Sequence, residues 1–329
     1  MTIAVVGAGA WGTTLACVAG TNEEVILYTR DEIRAEEIQS SRENKKYLPN
    51  IKIPSSVRIS SNENELEIAS HVIFAVPSIG FREAIKQFSF LSPAIPFVSV
   101  TKGLEQKTNL RMSQVILDAD TRRSAESIAI VSGPNLAQEI ATGHPAATVV
   151  ASSSEEIAQS IQKILMTKLF RVYTTNDIIG CEIGGVAKNV IAIAVGIGDG
   201  SGYGDNAKAT VMTRALAELT RLAVAEGGRA STISGLAGIG DLIATCSSSL
   251  SRNRTVGYML GQGKSLEEVQ STSHDIAEGV FSARALQERA NQLGVEMPIV
   301  SAVAKVIDTG IVSPDALDQL MSRPATKES

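Results

Sequence analysis

The chain has few cysteines and no excess of positive charge, and both shortages exclude classes of protein. Its 329 residues include three cysteines, an odd and scattered set, so a disulfide framework is not expected. Cys17, Cys181 and Cys246 each lie among apolar or small residues, which predicts buried free thiols in a reducing compartment. The net charge of −5 argues against a nucleic-acid-binding surface, which requires a basic face.

Long runs of strongly apolar residues are also missing. The apolar, uncharged run at residues 189–198 is far too short to span a bilayer. Met1 leads directly into an apolar, strand-like segment, so we expect no signal or transit peptide. The length is sufficient for about two domains. These features together predict a cytoplasmic protein without a membrane segment.

A glycine-rich motif near the start of the chain is the most informative feature that is present. Residues 7–12 read Gly-Ala-Gly-Ala-Trp-Gly and follow a short apolar strand. Gly7 permits a tight turn, Gly9 lets the backbone approach a pyrophosphate, and Gly12 lets the next helix pack against the strand. That helix, predicted over residues 13–19, offers unpaired N–H groups to phosphates. This order predicts a dinucleotide site; the alternative is a turn that only packs.

The first half of the chain alternates apolar strand-like runs with helical segments, whereas the second half has helical segments only. Continuous runs of Val, Ile and Ala are typical of strands buried on both faces of a parallel sheet. We predict an α/β fold: a Rossmann-like, doubly wound, mostly parallel sheet in residues 1–178, then an all-helical substrate domain in residues 179–329. The predicted strands cover residues 3–6, 25–29, 72–76, 97–101, 128–132, 147–151 and 169–173. The predicted C-terminal helices cover residues 182–195, 207–226, 265–269, 280–293 and 297–308.

Three further segments are predicted to be irregular. The polar stretch 40–56 is expected to be an extended surface loop, and the glycine-rich segments 196–204 and 235–240 are expected to be hinges between helices. Ligands of doubly wound sheets bind beyond the carboxyl ends of the strands. We therefore expect the chemistry in the turns that follow the predicted strands.

The end of the second predicted strand indicates which nicotinamide cofactor binds. NAD-specific folds usually place an acidic residue there to accept hydrogen bonds from the ribose. This chain has Thr29 and Arg30, and Asp31 comes only afterwards. A guanidinium suits phosphate oxygens, so Arg30 favours NADP(H) without excluding NAD(H). The alternative is that Arg30 is a solvated charge at the strand end.

Lys188 is the one lysine in an otherwise apolar or small helical stretch, residues 181–192. It shares a helical face with Gly184 and Gly185, which are expected to leave room for a ligand against the backbone. Burial would disfavour the charged form and make Lys188 a usable proton donor or acceptor. A lysine that snorkels to solvent at a helix edge is the equally open alternative.

A second cluster lies further along the chain. Asp241 and Thr245 are four residues apart and share a helical face, so Asp241 either caps its helix or orients a catalytic lysine. Residues 251–254 read Ser-Arg-Asn-Arg, which is either a phosphate clamp or a charged helix start. The three histidines lie outside these segments, and we expect them to be structural or on the surface. No metal site is predicted.

Six motifs follow one another in a distinctive order. They are Gly-Ala-Gly-Ala-Trp-Gly at 7–12, Thr-Lys-Gly-Leu at 101–104, Ser-Gly-Pro at 132–134, Ala-Lys-Asn at 187–189, Gly-Ile-Gly-Asp-Leu at 238–242 and Ser-Arg-Asn-Arg at 251–254. This series resembles that of the bacterial type of NAD(P)-dependent glycerol-3-phosphate dehydrogenases over nearly the whole chain. The resemblance implies interconversion of dihydroxyacetone phosphate and sn-glycerol 3-phosphate by hydride transfer, which supplies glycerophospholipid synthesis. We also expect a homodimer.

The resemblance further implies roles for individual residues. Lys188 matches the proton donor or acceptor, Asp241 the acid beside it, and Lys102 a lysine near cofactor and substrate. The expected substrate contacts are Lys102, Gly133, Asn135, Lys188, Asn189, Asp241, Thr245, Ser251, Arg252 and Asn253. The expected cofactor contacts are Gly7, Gly9, Ala10, Trp11, Gly12, Arg30, Lys102, Ala137, Arg252, Ile276 and Glu278. The family commonly has Ser or Thr where this chain has Asn135, so the role of Asn135 as a substrate contact is an open question.

Two other functions are compatible with parts of this pattern. A β-hydroxyacid or 6-phosphogluconate-type dehydrogenase also pairs a Rossmann domain with helices, but here Asn189 directly follows Lys188. A catalytically inactive NADP-binding sensor would be expected to lack Lys188 or Asp241, and this chain has both. Activity with dihydroxyacetone phosphate and NADPH separates the three.

Overall fold

One eight-stranded sheet organises the N-terminal part of the molecule. The computed structural model describes residues 1–272 and 277–310. The strands are β1 (Thr2–Val6), β2 (Glu24–Tyr28), β3 (Glu43–Asn44), β4 (Leu48–Lys52), β5 (Val57–Ser60), β6 (His71–Phe74), β7 (Phe97–Ser99), β8 (Ile128–Ser132), β9 (Ala146–Ser152) and β10 (Phe170–Thr175). The sheet has the order β10-β9-β8-β7-β6-β1-β2-β5, and its pairs are parallel except β8 with β9. All seven predicted strands are therefore confirmed.

Helices cover both faces of this sheet, because its strands alternate between two apolar clusters. Ile3 and Val5 of β1 belong to one cluster, and Ala4 and Val6 belong to the other. The helices of this part are α1 (Ala10–Ala19), α2 (Glu32–Ser41), α3 (Phe81–Gln87), α4 (Met112–Ala119), α5 (Ala137–Ala141) and α6 (Glu155–Leu165). The doubly wound architecture predicted from the sequence is confirmed.

The described residues after β10 form helices and no strand. These helices are α7 (Ile178–Gly200), α8 (Asp205–Ala225), α9 (Ala230–Ile233), α10 (Asp241–Ser247), α11 (Arg252–Gly261), α12 (Leu266–Thr272), α13 (Glu278–Gln292) and α14 (Pro298–Thr309). Helix α7 is central and is packed by α8, α10, α11, α13 and α14. It is long and apolar enough to cross a membrane, but 78% of its apolar window is buried inside the protein, as in a core helix.

The structure corrects the expectations for the irregular segments. The stretch 40–56 is not a surface loop, because it contains the end of α2 and the β3–β4 hairpin, and β5 follows directly. The hairpin was missed because its strands are short and polar, with only Asn44 and Leu48 buried within them. The hinge expected at 196–204 is confirmed only for residues 201–204, which separate α7 from α8, because α7 continues to Gly200. The hinge expected at 235–240 is instead mostly a single π-helical turn, Leu236–Gly240.

Helix α7 continues past Gly196 because this glycine forms a close contact with α11. A Cβ on Gly196 would collide with the carbonyl oxygen of Arg254, and a Cβ on Gly257 would collide with that of Ile193. The missing side chains therefore let two backbones touch, in the manner of small residues at close helix crossings. This contact aligns the start of α11 with the middle of α7.

We expect Gly196→Ala to destabilise the fold. The new Cβ has backbone on its far side, so helices α7 and α11 must separate, at a cost of about 1–3 kcal/mol for overpacking. Gly198 is two residues away in the same helix, and its nearest neighbour would be Tyr203 Cδ2 at 3.8 Å. Gly198→Ala is therefore the matched control and should stabilise α7 by about 0.5–1 kcal/mol. Urea unfolding measures both; equal changes in the two variants would contradict the close contact.

Candidate active site

The turn after β1 has the geometry that a dinucleotide requires. Gly7 has φ +110°, and a Cβ there would lie 2.6 Å from the carbonyl oxygen of Ala75. A Cβ on Gly12 would collide with the carbonyl oxygen of Gly7, whereas nothing lies within 4 Å of the Cβ position on Gly9. Two glycines thus close the turn, and the third leaves open space beside the backbone. This arrangement matches the three roles predicted for them.

The start of α1 fits phosphate groups. Gly9 is its N-cap and no side chain caps the helix, so the first N–H groups are available to an anion. Thr14 Oγ1 donates to the carbonyl oxygen of Ala137 at 3.2 Å, which brings the start of α5 beside α1. The Trp11 indole nitrogen is buried and has no hydrogen-bond partner. NAD(P) would be held here by the backbone of residues 9–12.

Sequence reasoning missed a group that supports this turn. Arg34 donates to the carbonyl oxygen of Ala8, and its guanidinium lies 4.4 Å from the ring centroid of Tyr47. Asn44 Nδ2 also donates to Ala8, at 2.9 Å. The polar stretch that contains Asn44 and Tyr47 gave no periodic signal, so its contact with the turn could not be found. Arg30, the predicted phosphate partner, is exposed just beyond β2.

The predicted catalytic residues meet around one carboxylate. Asp241 Oδ2 accepts a hydrogen bond from Lys102 Nζ at 2.6 Å, and Asp241 Oδ1 lies 3.2 Å from Lys188 Nζ. Thr245 Oγ1 accepts from Lys188 Nζ at 2.9 Å and donates to Asp241 Oδ1 at 3.2 Å. Lys102 Nζ also donates to the carbonyl oxygen of Gly133 at 2.7 Å. We call Lys102, Lys188, Asp241 and Thr245 the lysine–aspartate cluster.

Burial and charge set the protonation of this cluster. Burial lowers the pKa of Lys102 to about 8; Asp241 opposes this shift, and the like charge of Lys188 adds to it. Burial alone would raise the pKa of Asp241, but the charges of Lys102 and Lys188 hold it below its usual value. The site therefore contains an ionised carboxylate that holds two amines, and the pKa of about 8 means that Lys102 loses its proton in mildly alkaline solution.

The sequence analysis expected the glycines beside Lys188 to leave room for a ligand, and this expectation was wrong. A Cβ on Gly184 would collide with the carbonyl oxygen of Ala237, and one on Gly185 would lie 3.0 Å from Ser132 Oγ. Protein atoms occupy both places. The glycines instead let α7 approach the end of β8 and the π-helical turn, which brings Lys188 to Asp241.

A series of amides connects the two parts of the molecule. Asn189 Nδ2 donates to the carbonyl oxygen of Lys102 at 3.1 Å, and Asn253 Nδ2 donates to Asn189 Oδ1 at 2.9 Å. Asn253 Oδ1 in turn accepts from the backbone N–H of Gly279 at 2.9 Å. We call this series, which ends at Gly279, the amide relay. It joins the turn after β7 to helices α7, α11 and α13.

Some residues of the Ser-Arg-Asn-Arg segment stabilise the fold, and another, Arg252, is exposed. Ser251 caps α11, since its Oγ accepts from the backbone N–H of Arg254 at 3.2 Å. The Arg254 guanidinium is paired with Asp199, at 2.7 Å from Nη2 to Oδ2. Arg252 is exposed in the first turn of α11, next to the buried Asn253. Arg254 is thus held by Asp199, and the role of Arg252 as a substrate contact stays a prediction.

Two further predicted contacts, Glu278 and Asn135, lie near the same edge of the sheet. Glu278 accepts hydrogen bonds from Ser78, at 3.1 Å from the backbone nitrogen and 2.6 Å from the hydroxyl. Ser78 follows β6, so this contact also crosses between sheet and helices. Asn135 Nδ2 donates to Thr148 Oγ1 at 3.0 Å. The predicted contact Ile276 lies outside the described residues.

An open glycine turn on a Rossmann-type sheet, together with a buried lysine–aspartate cluster, defines the class: a two-part, NAD(P)-dependent dehydrogenase. The sequence comparisons agree. Models described as the N-terminus and the C-terminus of NAD-dependent glycerol-3-phosphate dehydrogenase match residues 2–158 and 177–318. The chain therefore belongs to the NAD-dependent glycerol-3-phosphate dehydrogenase family, and it is an oxidoreductase.

Similar proteins extend over the full chain. A glycerol-3-phosphate dehydrogenase (NAD(P)+) of Corynebacterium glutamicum is 46% identical over 332 residues, which covers 100% of both chains. One from Streptomyces coelicolor is 45% identical and covers 99% of this chain and 97% of its own. The crystal structure of a Coxiella burnetii glycerol-3-phosphate dehydrogenase matches with TM-score 0.92 and 34% identity, covering 98% of this chain and 99% of that one.

We predict that Asp241→Asn shifts the pH dependence of ketone reduction. In the wild type, kcat/KM should fall above the Lys102 pKa of about 8, because the amine then loses its proton. Without the carboxylate, the charge of Lys188 acts unopposed and the pKa of Lys102 decreases further. The falling limb should therefore move to lower pH, in addition to any loss of rate.

Steady-state pH profiles measure this shift. Asp205→Asn, at an exposed position in α8, is the matched control and should leave the limb in place. If the limb of the Asp241 variant coincides with that of the wild type, Lys102 is not the group that titrates.

Proposed function

We propose that the chain reduces the ketone of dihydroxyacetone phosphate to sn-glycerol 3-phosphate, and catalyses the reverse reaction, at the lysine–aspartate cluster. The observation that carries this assignment is the position of two amines on one buried carboxylate, with Lys102 following β7 at the sheet edge where the glycine turn follows β1. Ketone reduction needs a hydride, a proton for the carbonyl oxygen and charge to hold the phosphate. NAD(P)H, when bound, supplies the hydride.

Lys188 provides the proton in this proposal. Its Nζ donates hydrogen bonds within the cluster, and one N–H can instead be directed to the carbonyl oxygen of the substrate. As the carbon accepts the hydride, the proton of Lys188 moves to the oxygen and leaves a neutral amine. Asp241 stabilises the charged amine before transfer, and Lys102 polarises the same oxygen. In the oxidation direction, Lys188 accepts the proton.

Arg252 and Asn253 hold the phosphate end of the substrate in this proposal. Arg252 is exposed at the start of α11, where the N-terminal end of the helix favours an anion. Asn253 holds Asn189 through the amide relay, so it fixes the distance between the phosphate site and Lys188. A phosphate bound here would fix the carbonyl for reaction and lower the barrier.

Three broader proposals accompany this reaction. We infer that residues 1–178 form the dinucleotide domain and residues 179–329 form the substrate domain, because α7 begins at Ile178 and the helices follow it. We also propose a cytoplasmic homodimer that supplies glycerophospholipid synthesis. The reducing compartment is consistent with the three free cysteines, Cys17, Cys181 and Cys246.

We expect Lys188→Ala to lower kcat for dihydroxyacetone phosphate by roughly 10²- to 10⁴-fold, the range for loss of a general acid. The fold should survive, because Asp241 keeps its ion pair with Lys102. NADPH affinity should change little. Stopped-flow reduction and fluorescence titration with NADPH measure the two effects, and Lys305→Ala, an exposed lysine on α14, is the control. A Lys188 variant that retains turnover would exclude it as the proton donor.

We propose that Arg30 binds the 2′-phosphate of NADPH, and we expect Arg30→Ala to weaken NADPH far more than NADH. Loss of one charge-assisted hydrogen bond of about 1.5–3 kcal/mol corresponds to a roughly 10- to 150-fold higher KM. Arg34→Ala is the matched comparison, since Arg34 supports the turn through Ala8 and should affect both cofactors alike. Similar changes in both KM values for the Arg30 variant would contradict the assignment.

A further inference from the structure

A buried threonine outside the predicted site controls the orientation of Asn135. Thr148 lies in β9 and is fully buried. Its Oγ1 lies 2.9 Å from the carbonyl oxygen of Ser132 and 3.0 Å from Asn135 Nδ2. The turn that carries Asn135 follows β8, and Gly133 at its start packs so closely that a Cβ there would lie 3.2 Å from the Thr148 Cα.

The hydroxyl of Thr148 has a single hydrogen, and this fact determines whether the oxygen or the nitrogen of the Asn135 side-chain amide faces it. A hydroxyl has one hydrogen, and a carbonyl oxygen can only accept. The Thr148 hydrogen must therefore go to the carbonyl of Ser132. The Thr148 oxygen then has only acceptor capacity left, so the amide of Asn135 must present its NH2 group. This requirement directs the carbonyl oxygen Oδ1 of Asn135 away from Thr148.

That oxygen is left without a partner in a buried place. Asn135 Oδ1 is buried and accepts no hydrogen bond from the protein. An unsatisfied buried acceptor is costly, so its retention calls for an explanation, such as a ligand group that satisfies it. The two preceding residues border the lysine–aspartate cluster: Gly133 accepts from Lys102 Nζ, and Pro134 Cδ lies 3.8 Å from the Cβ position of Gly240, next to Asp241.

The chemistry of the substrate determines what this oxygen can bind. A phosphate dianion and a ketone offer acceptors only, and a second acceptor placed against them is repelled. In dihydroxyacetone phosphate the one O–H donor on the carbon skeleton is the primary hydroxyl. An acceptor fixed beside the catalytic amines is therefore complementary to that hydroxyl and to no other part of the molecule.

We propose that Asn135 Oδ1 accepts a hydrogen bond from the primary hydroxyl of the three-carbon substrate, and that Thr148 is the positioning residue that fixes this polarity. The inference rests on the proposed function and adds a specificity determinant to it. Substrates that carry a hydroxyl at this carbon are selected over those that carry a methyl group. A site built around one polar contact discriminates in this way, because the analogue leaves the protein acceptor unpaired.

The test compares two substrates that differ only in that hydroxyl: dihydroxyacetone phosphate and hydroxyacetone phosphate, the methyl ketone, each with NADPH. The wild type should prefer the first. Asn135→Ala and Thr148→Val should each lower the ratio of the two kcat/KM values by about 10- to 100-fold, the effect of one buried hydrogen bond. Thr148→Ser keeps the hydroxyl and should restore the ratio. Thr174→Val, at an exposed threonine of β10, is the strand control.

The ratio separates this proposal from its alternatives. Equal losses on both substrates would overturn it, because Asn135 would then act on the phosphate or on the fold. A Thr148→Val ratio equal to that of the wild type, with a reduced ratio for Asn135→Ala, would overturn the positioning role. If the wild type reduced neither ketone with NADPH or NADH, the proposed function itself would fail.

Discussion

The active centre depends on the buried ion cluster around Asp241. Its carboxylate is nearly inaccessible, at 2% exposure, and it holds Lys102 from the sheet and Lys188 from α7. A charge buried in this way is stable only when it is paired, and removal of one partner from a buried pair is strongly destabilising. Because two lysines pair with one carboxylate, Asp241 keeps a partner when one of the two lysines loses its charge. Either amine can therefore change its proton without leaving Asp241 unpaired.

Backbone contacts set the geometry of this cluster more than side chains do. Gly184 lets α7 touch the backbone of the turn before α10, and Gly185 leaves space for the side chain of Ser132 at the end of β8. Gly196 and Gly257 let α7 touch α11. Contacts between backbones have little freedom to adjust, because the interior is close-packed. The amine of Lys188, which is the proposed proton donor, and the proposed phosphate site on α11 are thus held at a fixed separation.

Part of this organisation could be predicted from the sequence and part could not. The strands of the parallel sheet are continuous apolar runs, and Asp241 and Thr245 have the spacing of one helical face, so both were recognised. The β3–β4 hairpin was missed because its strands are short and mostly exposed. Gly184 and Gly185 were misjudged for another reason: a glycine that admits a ligand and one that admits neighbouring protein atoms look alike in sequence. Thr148 gave no signal at all, since only the fold brings it to Asn135.

The amide relay has one further consequence. Its members, Asn189, Asn253 and the backbone of Gly279, are uncharged and do not titrate. Neutral hydrogen bonds are insensitive to ionic strength and acidity, in contrast to the ion pairs a few ångströms away. The part of the contact between sheet and helices that these amides make is therefore independent of the protonation of Lys102 and Lys188. Lys102 and Lys188 can therefore gain or lose a proton while the hydrogen bonds of the amide relay stay the same.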